Sequence, residues 1–367
     1  MKNTALNSHN VEHFQERLIN WYQRSHRKLP WRENGDPYYI WVSEVMLQQT
    51  QVATVIPYFH RFLAAFPTIE KLAAADQQQV LKLWEGLGYY ARARNLHNAA
   101  RTVVEKYGGE IPADYDDFRE LAGVGPYIAA AVQSIAFNAP HAVVDGNVKR
   151  VLARMFAVKA AVNDSKSLKE FQQIADAVLD KTHPADYNQG VMELGALICR
   201  PQQPLCPGCP VNAFCRAFQT RRVADFPRRK KRAKIPERHF AAAVIRKGDQ
   251  LLIIRRPENG LLGGLWEFPG GEMRNGESPK LACERVIFES TTIAVKSLRL
   301  LTRIQHTFTH FKLVADVFTC DDHSGNVKLA FGTDFRWVTL QKIDHFPFPK
   351  AHQKIIQALT THQQHPK

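Results

Sequence analysis

The stretch FRELAGVGPYIAAAVQSIAF, Phe118 to Phe137, sets two helical segments around the turn LAGVG. Pro126 opens the second segment, and proline suits a first helical position, where its missing N–H costs nothing. Gly123 and Gly125 permit a tight turn and a close approach of backbone to another molecule. The N–H groups at the start of the second helix lack partners within it and point outward, where they can hold a phosphate. A plain helix–turn–helix corner needs no more than the same residues. The overall charge separates the two readings. The 367 residues carry a formal +14, with a pI near 9.5. Such a balance points to a polyanionic partner, so phosphate binding is the expectation for this turn.

Outward from the turn, two carboxylates stand out. Asp145, in HAVVDGNVKRVLARM, lies between an apolar run and a new helical pattern. It reads as a helix N-cap, and a carboxylate at a helix start is favoured in its ionised form. That makes it a standing negative charge suited to face a developing cation. Glu44, in YYIWVSEVMLQQTQV, has Ile40, Trp41, Leu47 and Gln48 as neighbours at three and four residues. Three of these are apolar, so desolvation is expected to raise its pKa. A buried glutamate is more commonly hydrogen-bonded structure. Paired with Asp145, it gives one carboxyl held protonated and one held ionised, an arrangement that breaks a glycosidic bond through an oxocarbenium-like state. WEGLGYYARARNL, Trp84 to Leu96, sets aromatics and arginines around two glycines. It suits core packing with a charged rim, and equally an aromatic wedge beside phosphate contacts, as base-extruding proteins use.

The rest of the chain up to about residue 198 is helical in pattern. VEHFQERLINWYQR, VATVIPYFHRFLAAF, ARARNLHNAARTVVEKY and SLKEFQQIADAVLDKT carry apolar residues at three- and four-residue spacing. The pattern changes at RRVADFPRRKKRAKIPER, Arg221 to Arg238, with nine Lys or Arg against two acidic residues. Its two prolines stop a long helix, so it reads as a solvated linker or as one lying along phosphates. Beyond it, HFAAAVIRK, QLLIIRR, SLRLLTRIQHTFTH, FKLVADVFTC and FRWVTL are strand-like, and KAHQKIIQALTTH closes as a helix. No run of about 18 apolar residues is present, so no transmembrane helix is expected. The first residues lack an apolar signal core, which leaves a soluble intracellular protein as the expectation.

Four of the six cysteines, Cys199, Cys206, Cys209 and Cys215, form the pattern C-x6-C-x2-C-x5-C. In a reducing compartment such a group reads as a metal site rather than as disulfides. Four thiolates suit zinc or a four-iron cluster. Structural zinc usually shows two tight pairs, and here only Cys206 and Cys209 form one, a slight tilt to iron–sulfur. Cys283 and Cys320 stand apart.

Together the motifs LPWR, WVSEVMLQQTQV, WEGLGYYARARNL, LAGVGPYIAAAV, VDGNVKRVL, MELGALIC and the cysteine cluster resemble the MutY-type adenine DNA glycosylases. The resemblance covers most of the chain. It implies a multidomain protein with an all-α helix-hairpin-helix glycosylase core, a [4Fe-4S] cluster loop and an α+β Nudix-like C-terminal domain. The expected boundaries are 1–220 for the core, with the cluster loop at 199–215, then 221–238 for a basic linker and 239–367 for the Nudix-like domain. The family implies a monofunctional base-excision enzyme that removes adenine mispaired with 8-oxoguanine or guanine. By motif, Glu44 resembles the general acid that protonates the extruded adenine, and Asp145 the carboxylate that stabilises the sugar cation. Tyr127 occupies the position where lyase-type relatives carry a Schiff-base lysine, so strand nicking is not expected. Trp31, Arg32 and Gln189 resemble base-pocket residues. Gln49 and Leu87, Gly88 and Tyr89 resemble the group that fills the helix gap and contacts the opposite base. Ile128 stands where a threonine is commoner.

WEFPGGEMRNGESPKLACERVIFES, Trp266 to Ser290, resembles the Nudix pattern at Gly271, Glu277, Arg285 and Glu289. Two further glutamates of that pattern fall on Val286 and Ser290. Magnesium would have too few carboxylates there for diphosphate hydrolysis. The resemblance implies instead that this domain reads the 8-oxoguanine strand. Phe308, Thr309 and His310 fall on the family's Phe-Ser-His recognition loop, with Thr309 in place of the serine. Its hydroxyl is kept and a methyl is added. The implied partner is double-stranded DNA carrying A opposite 8-oxoguanine, bound by a monomer in the cytoplasm at the bacterial nucleoid. The alternatives are an endonuclease III-like glycosylase/lyase on oxidised pyrimidines, a zinc-structured DNA-binding protein and a working Nudix hydrolase.

Overall fold

A computed structural model describes residues 8–231 and 234–364. The ends of the expected first and last domains, and residues 232 and 233 of the expected linker, lie outside the described residues. The chain gathers into two compact units. One holds Met1–Ala73 and Asn98–Arg232, the other Ala74–His97 and Ala233–Lys367.

The first unit is helical. Asp36 caps the Pro37–Leu47 helix by accepting from the Tyr38 N–H, and Pro37 takes the first helical position. Ile40, Trp41, Val42, Val45 and Met46 are all buried. A helix apolar all round belongs inside a core. The hairpin forms as the sequence indicates. The short helix Tyr115–Arg119 leads to Gly123 at φ +77, a left-handed conformation that a side chain disfavours. Gly125 is then the N-cap of the Pro126–Phe137 helix, with no side-chain cap on its free N–H groups. Asp145 caps the next helix, Gly146–Met155. Val148, Val151, Leu152 and Met155 on that helix pack with Phe14, Leu18, Phe171, Tyr187 and Leu194 in one core.

The basic stretch is not a free linker over its first half. Phe226 is buried, and its carbonyl accepts from Arg154 Nε at 2.9 Å. Val162 N–H donates to the Arg228 carbonyl at 3.0 Å, and Lys230 Nζ lies 2.6 Å from Asp164. Carbonyls and one ammonium give this strongly charged segment specific partners, which its composition does not disclose.

The second unit holds nine strands among the described residues. They are β1 (Glu237–Lys247), β2 (Gln250–Arg255), β3 (Trp266–Glu267), β4 (Gly270–Glu272), β5 (Ala294–Lys296), β6 (Arg299–Thr307), β7 (Lys312–Cys320), β8 (Asp322–Ser324) and β9 (Asp334–Thr339). The main sheet runs β3-β2-β1-β7-β6, with β4 paired to β1 and β9 to β2. β1 and β7 are parallel over nine partners, from Glu237 opposite Lys312 to Ile245 opposite Cys320. Successive side chains of β1 point to opposite faces. Ala241, Ala243 and Ile245 pack with Ala282, Cys283 and Ile287, from the Pro279–Thr291 helix. Val244 packs on the other face with Ala351, Ile355 and Leu359, from the Lys350–Gln364 helix. β1 is thus covered on both faces, which explains its run of apolar residues without alternation.

Residues 74–97, inside the expected 1–220 domain, group by their contacts with the second unit. Gln78 accepts from Trp266 Nε1 at 2.8 Å and donates to the Gly264 carbonyl at 2.9 Å. Phe348 N–H donates to Glu85 at 2.7 Å, and Tyr90 donates to the Phe348 carbonyl at 3.3 Å. These partners lie 186 to 263 residues away along the chain, beyond the reach of any local periodicity.

Candidate active site

The first unit contains a cavity of about 430 Å³ lined by Trp31, Arg32, Glu44, Tyr127, Asp145 and Gln189. Trp31 and Arg32 share one motif, and the other four come from four separate stretches of the sequence. Glu44 is supplied by the Pro37–Leu47 helix, Tyr127 by the first turn after the hairpin, and Asp145 by a helix N-cap. Tyr127 Oη donates to Glu44 Oε2 at 2.5 Å. Burial lifts the Glu44 carboxyl to about 7; the Tyr127 hydrogen bond opposes this, and the Asp145 charge adds to it. Burial and the two carboxylates push the Tyr127 phenol well above its usual range, so it stays a donor.

Asp145 corrects an expectation. Its cap is present: Oδ1 accepts from Val148 N–H at 2.6 Å and Oδ2 from Asn147 Nδ2 at 3.0 Å. These bonds favour the charged form, yet its pKa is raised because burial outweighs them. The helix-start argument from sequence named the lowering influence correctly and missed the larger opposing one.

Sequence reasoning passed over Glu193. It is buried at 1% exposure and accepts from Arg27 N–H at 2.9 Å, Arg27 Nε at 2.8 Å and Arg32 at 3.1 Å. Burial raises its pKa, but these donors dominate and bring it to about 2. Glu193 lies four residues after Gln189, on the same helix face, and lines the same cavity; that spacing was the available signal. For Arg27, in RSHRKLPWR, the sequence offered none. Arg150 was also passed over. It is buried and donates to Asn147 Oδ1 at 2.7 Å and to the Cys199 carbonyl at 2.7 Å.

The other candidate residues lie outside this cavity's lining. Gln49 lies just past the C-cap Gln48 of the Glu44 helix, at φ +57, an uncommon conformation for a non-glycine residue. Tyr89 shares it at φ +49. In the second unit Tyr89 meets the β6–β7 hairpin: its hydroxyl lies 3.0 Å from Thr309 Oγ1. Two motifs that the sequence kept apart are thus in contact. The hairpin is closed by Phe308 N–H donating to the Phe311 carbonyl at 2.9 Å, and Thr309 and His310 are exposed at its tip.

The Nudix-like carboxylates are engaged by arginines. Arg285 bonds Glu277 at 2.6 Å and Glu289 at 2.9 Å, while Arg274 reaches Glu289 at 3.1 Å. The Arg285 hydrogen bonds hold Glu277 down to about 2. Val286 is buried with its methyls against Gly271, so a carboxylate there would enter an apolar contact.

Cys199, Cys206, Cys209 and Cys215 are all half-buried and unpaired by disulfide. Burial pushes Cys209 up to about 12, and the other three thiols add to the shift. Burial and neighbouring thiols also raise Cys206 and Cys215. A cation among such mutually opposed donors would relieve them. Among the described residues, no three His, Cys, Asp or Glu side chains converge as they would on a single ion. Four half-buried thiols that oppose one another suit a metal group held among them.

A hairpin with an uncapped helix start, a buried acid and a second carboxylate in one cavity define a helix-hairpin-helix glycosylase. Comparisons with known proteins agree. The family description "HhH-GPD superfamily base excision DNA repair protein" matches residues 42–176, and "NUDIX domain" matches residues 241–358. A thermostable thymine-DNA glycosylase structure is similar at TM-score 0.53 and 28% identity, over 58% of this chain and 98% of that one. A trapped covalent intermediate of endonuclease III with DNA gives TM-score 0.51 and 25% identity, over 59% and 99%. The adenine DNA glycosylase of Rattus norvegicus is 35% identical over 407 residues, spanning 96% of this chain and 79% of the relative. The chain belongs to the adenine DNA glycosylase family, the hydrolases of base excision repair that act on the N-glycosidic bond of adenine. No helix among the described residues is long and apolar enough to cross a membrane.

Proposed function

We propose that this chain, as a monomer, removes adenine lying opposite 8-oxoguanine or guanine in double-stranded DNA. The observation that carries the reading is the Tyr127–Glu44 hydrogen bond in a cavity that also holds Asp145. Glu44, lifted to about 7 by burial, protonates the extruded base. Asp145, with hydrogen bonds to both oxygens, faces the cationic sugar that forms as the bond breaks. Trp31, Arg32 and Gln189 hold the base. Gly123 and Gly125 bring the hairpin backbone to a phosphate, and the residues of 221–238 add electrostatic attraction. Gln49 and Leu87–Tyr89 fill the space left in the duplex.

A [4Fe-4S] cluster would be held by Cys199, Cys206, Cys209 and Cys215. Holding it, these four cysteines would fix four points of the 199–215 loop relative to one another. We assign 1–220 to base excision, 221–238 to linkage and 239–367 to reading the strand opposite adenine. The reader's contacts are Phe308, Thr309 and His310.

Single-turnover incubation with a duplex carrying A opposite 8-oxoguanine tests the chemistry. The adenine strand is expected to break only after alkali, because Tyr127 offers no amine for a Schiff base. Breakage without alkali would favour the lyase reading. The reader is tested separately by Thr309→Val, which keeps the shape and removes the hydroxyl. One net hydrogen bond is worth about 0.5–1.5 kcal/mol. The preference for 8-oxoguanine over guanine opposite adenine should therefore fall about two- to tenfold, and an unchanged ratio would remove Thr309 from this role.

A further inference from the structure

Apart from the active-site cavity, the first unit has a second, more open one of about 580 Å³. His9, His13 and Glu16 border it from the Ser8–Ser25 helix, and Asp180 and His183 from another part of the chain. His9 and His13 stand four residues apart on one helix face. Their Nε2 atoms are 3.2 Å apart, with the rings edge to face at 4.3 Å between centroids. In the neutral pair, one of these nitrogens carries a proton and the other a lone pair directed at it.

We propose that His9 and His13 bind a divalent late first-row metal ion through their Nε2 atoms. At a zinc–nitrogen distance of about 2.0–2.1 Å, nitrogens 3.2 Å apart subtend about 100° at the metal, close to tetrahedral. The metal then takes the place of the single shared proton. Glu16 strengthens the argument. Its carboxylate lies 3.6 Å from His13 Nδ1, longer than a hydrogen bond but close enough for a small rotation to let it accept from Nδ1–H once Nε2 ligates. His183 repeats the arrangement, with Nδ1 3.7 Å from Asp180. Among the described residues no third His, Cys, Asp or Glu completes a three-donor group, so water fills the remaining positions. Imidazole donors suit zinc, copper or nickel over magnesium or calcium, which prefer oxygen.

The test is calorimetric titration of Zn2+ into full-length protein carrying its cluster, so that the four-cysteine loop does not compete. One site is expected, with micromolar affinity. His9→Ala and His13→Ala should each weaken it at least about tenfold, and Glu16→Gln about tenfold through loss of the orienting carboxylate. His183→Ala, outside the pair, should leave the affinity unchanged. Base release by every variant should match the wild-type chain, which also reports correct folding. Binding unchanged in His13→Ala, or no binding by the wild-type chain below millimolar Zn2+, would overturn the proposal.

Discussion

Glu44→Gln is expected to abolish adenine release while leaving DNA affinity within a few-fold of wild type. Glutamine keeps the acceptor for Tyr127 Oη and the volume of the side chain, so the cavity should persist. What it removes is the transferable proton, and general acid catalysis typically contributes about 10²–10⁴-fold in rate. Single-turnover base release and a binding isotherm on the same duplex separate the two effects. The pH profile supplies an independent check. An acid must be protonated to act, and burial sets this one to about 7. Base release should therefore hold steady on the acid side and fall about tenfold per pH unit above that value. Retained turnover in Glu44→Gln, or a rate rising through neutral pH, would remove Glu44 from the acid role.

Glu193→Ala should be the most destabilising single substitution around the cavity. The carboxylate is almost fully buried and serves two guanidinium groups, Arg27 at 2.7 Å and Arg32 at 3.1 Å. Removing one partner of a buried ion pair costs about 3–5 kcal/mol, because the remaining charge is left uncompensated. Arg27 is about one-third exposed and can be partly rehydrated, so the lower end of that range, about 3 kcal/mol, is expected. Denaturant unfolding of the two proteins measures it. The acid dependence has a definite sign. Because the folded carboxyl titrates near 2, below the usual carboxylate value, its stabilisation is complete above about pH 4.5 and fades as pH falls toward 2. The gap between wild type and Glu193→Ala should narrow over that interval. A gap below about 1 kcal/mol at neutral pH would show that the guanidinium groups find other partners.

What was legible in the sequence was chemistry that depends on near neighbours. The hairpin turn, the Asp145 cap, the buried setting of Glu44 and the strand-like texture after Arg238 are all fixed within a few residues. The meeting of Trp31, Glu44, Tyr127, Asp145 and Gln189 around one cavity followed from the family resemblance, since spacing alone could not place them together. What escaped was long-range. Glu193 and its arginines are separated by more than 160 residues, and residues 74–97 find their partners far down the chain. The raised pKa of Asp145 escaped for a related reason. Its hydrogen bonds are local, but the burial that outweighs them is contributed by the whole fold.

A free carboxyl group has two equivalent oxygens, and nothing in its own chemistry says which will deliver a proton. The Tyr127 phenol breaks that symmetry. By donating to Oε2 of Glu44 it occupies one oxygen as an acceptor, which favours Oε1 as the seat of the proton. The acid thereby acquires a handedness: a purine presented to Oε1 meets a donor, while one presented to Oε2 meets an acceptor already engaged. On the proposed reading of Glu44 as the acid, orientation of the base is screened at the moment of proton transfer, in addition to any screening by the walls that hold it.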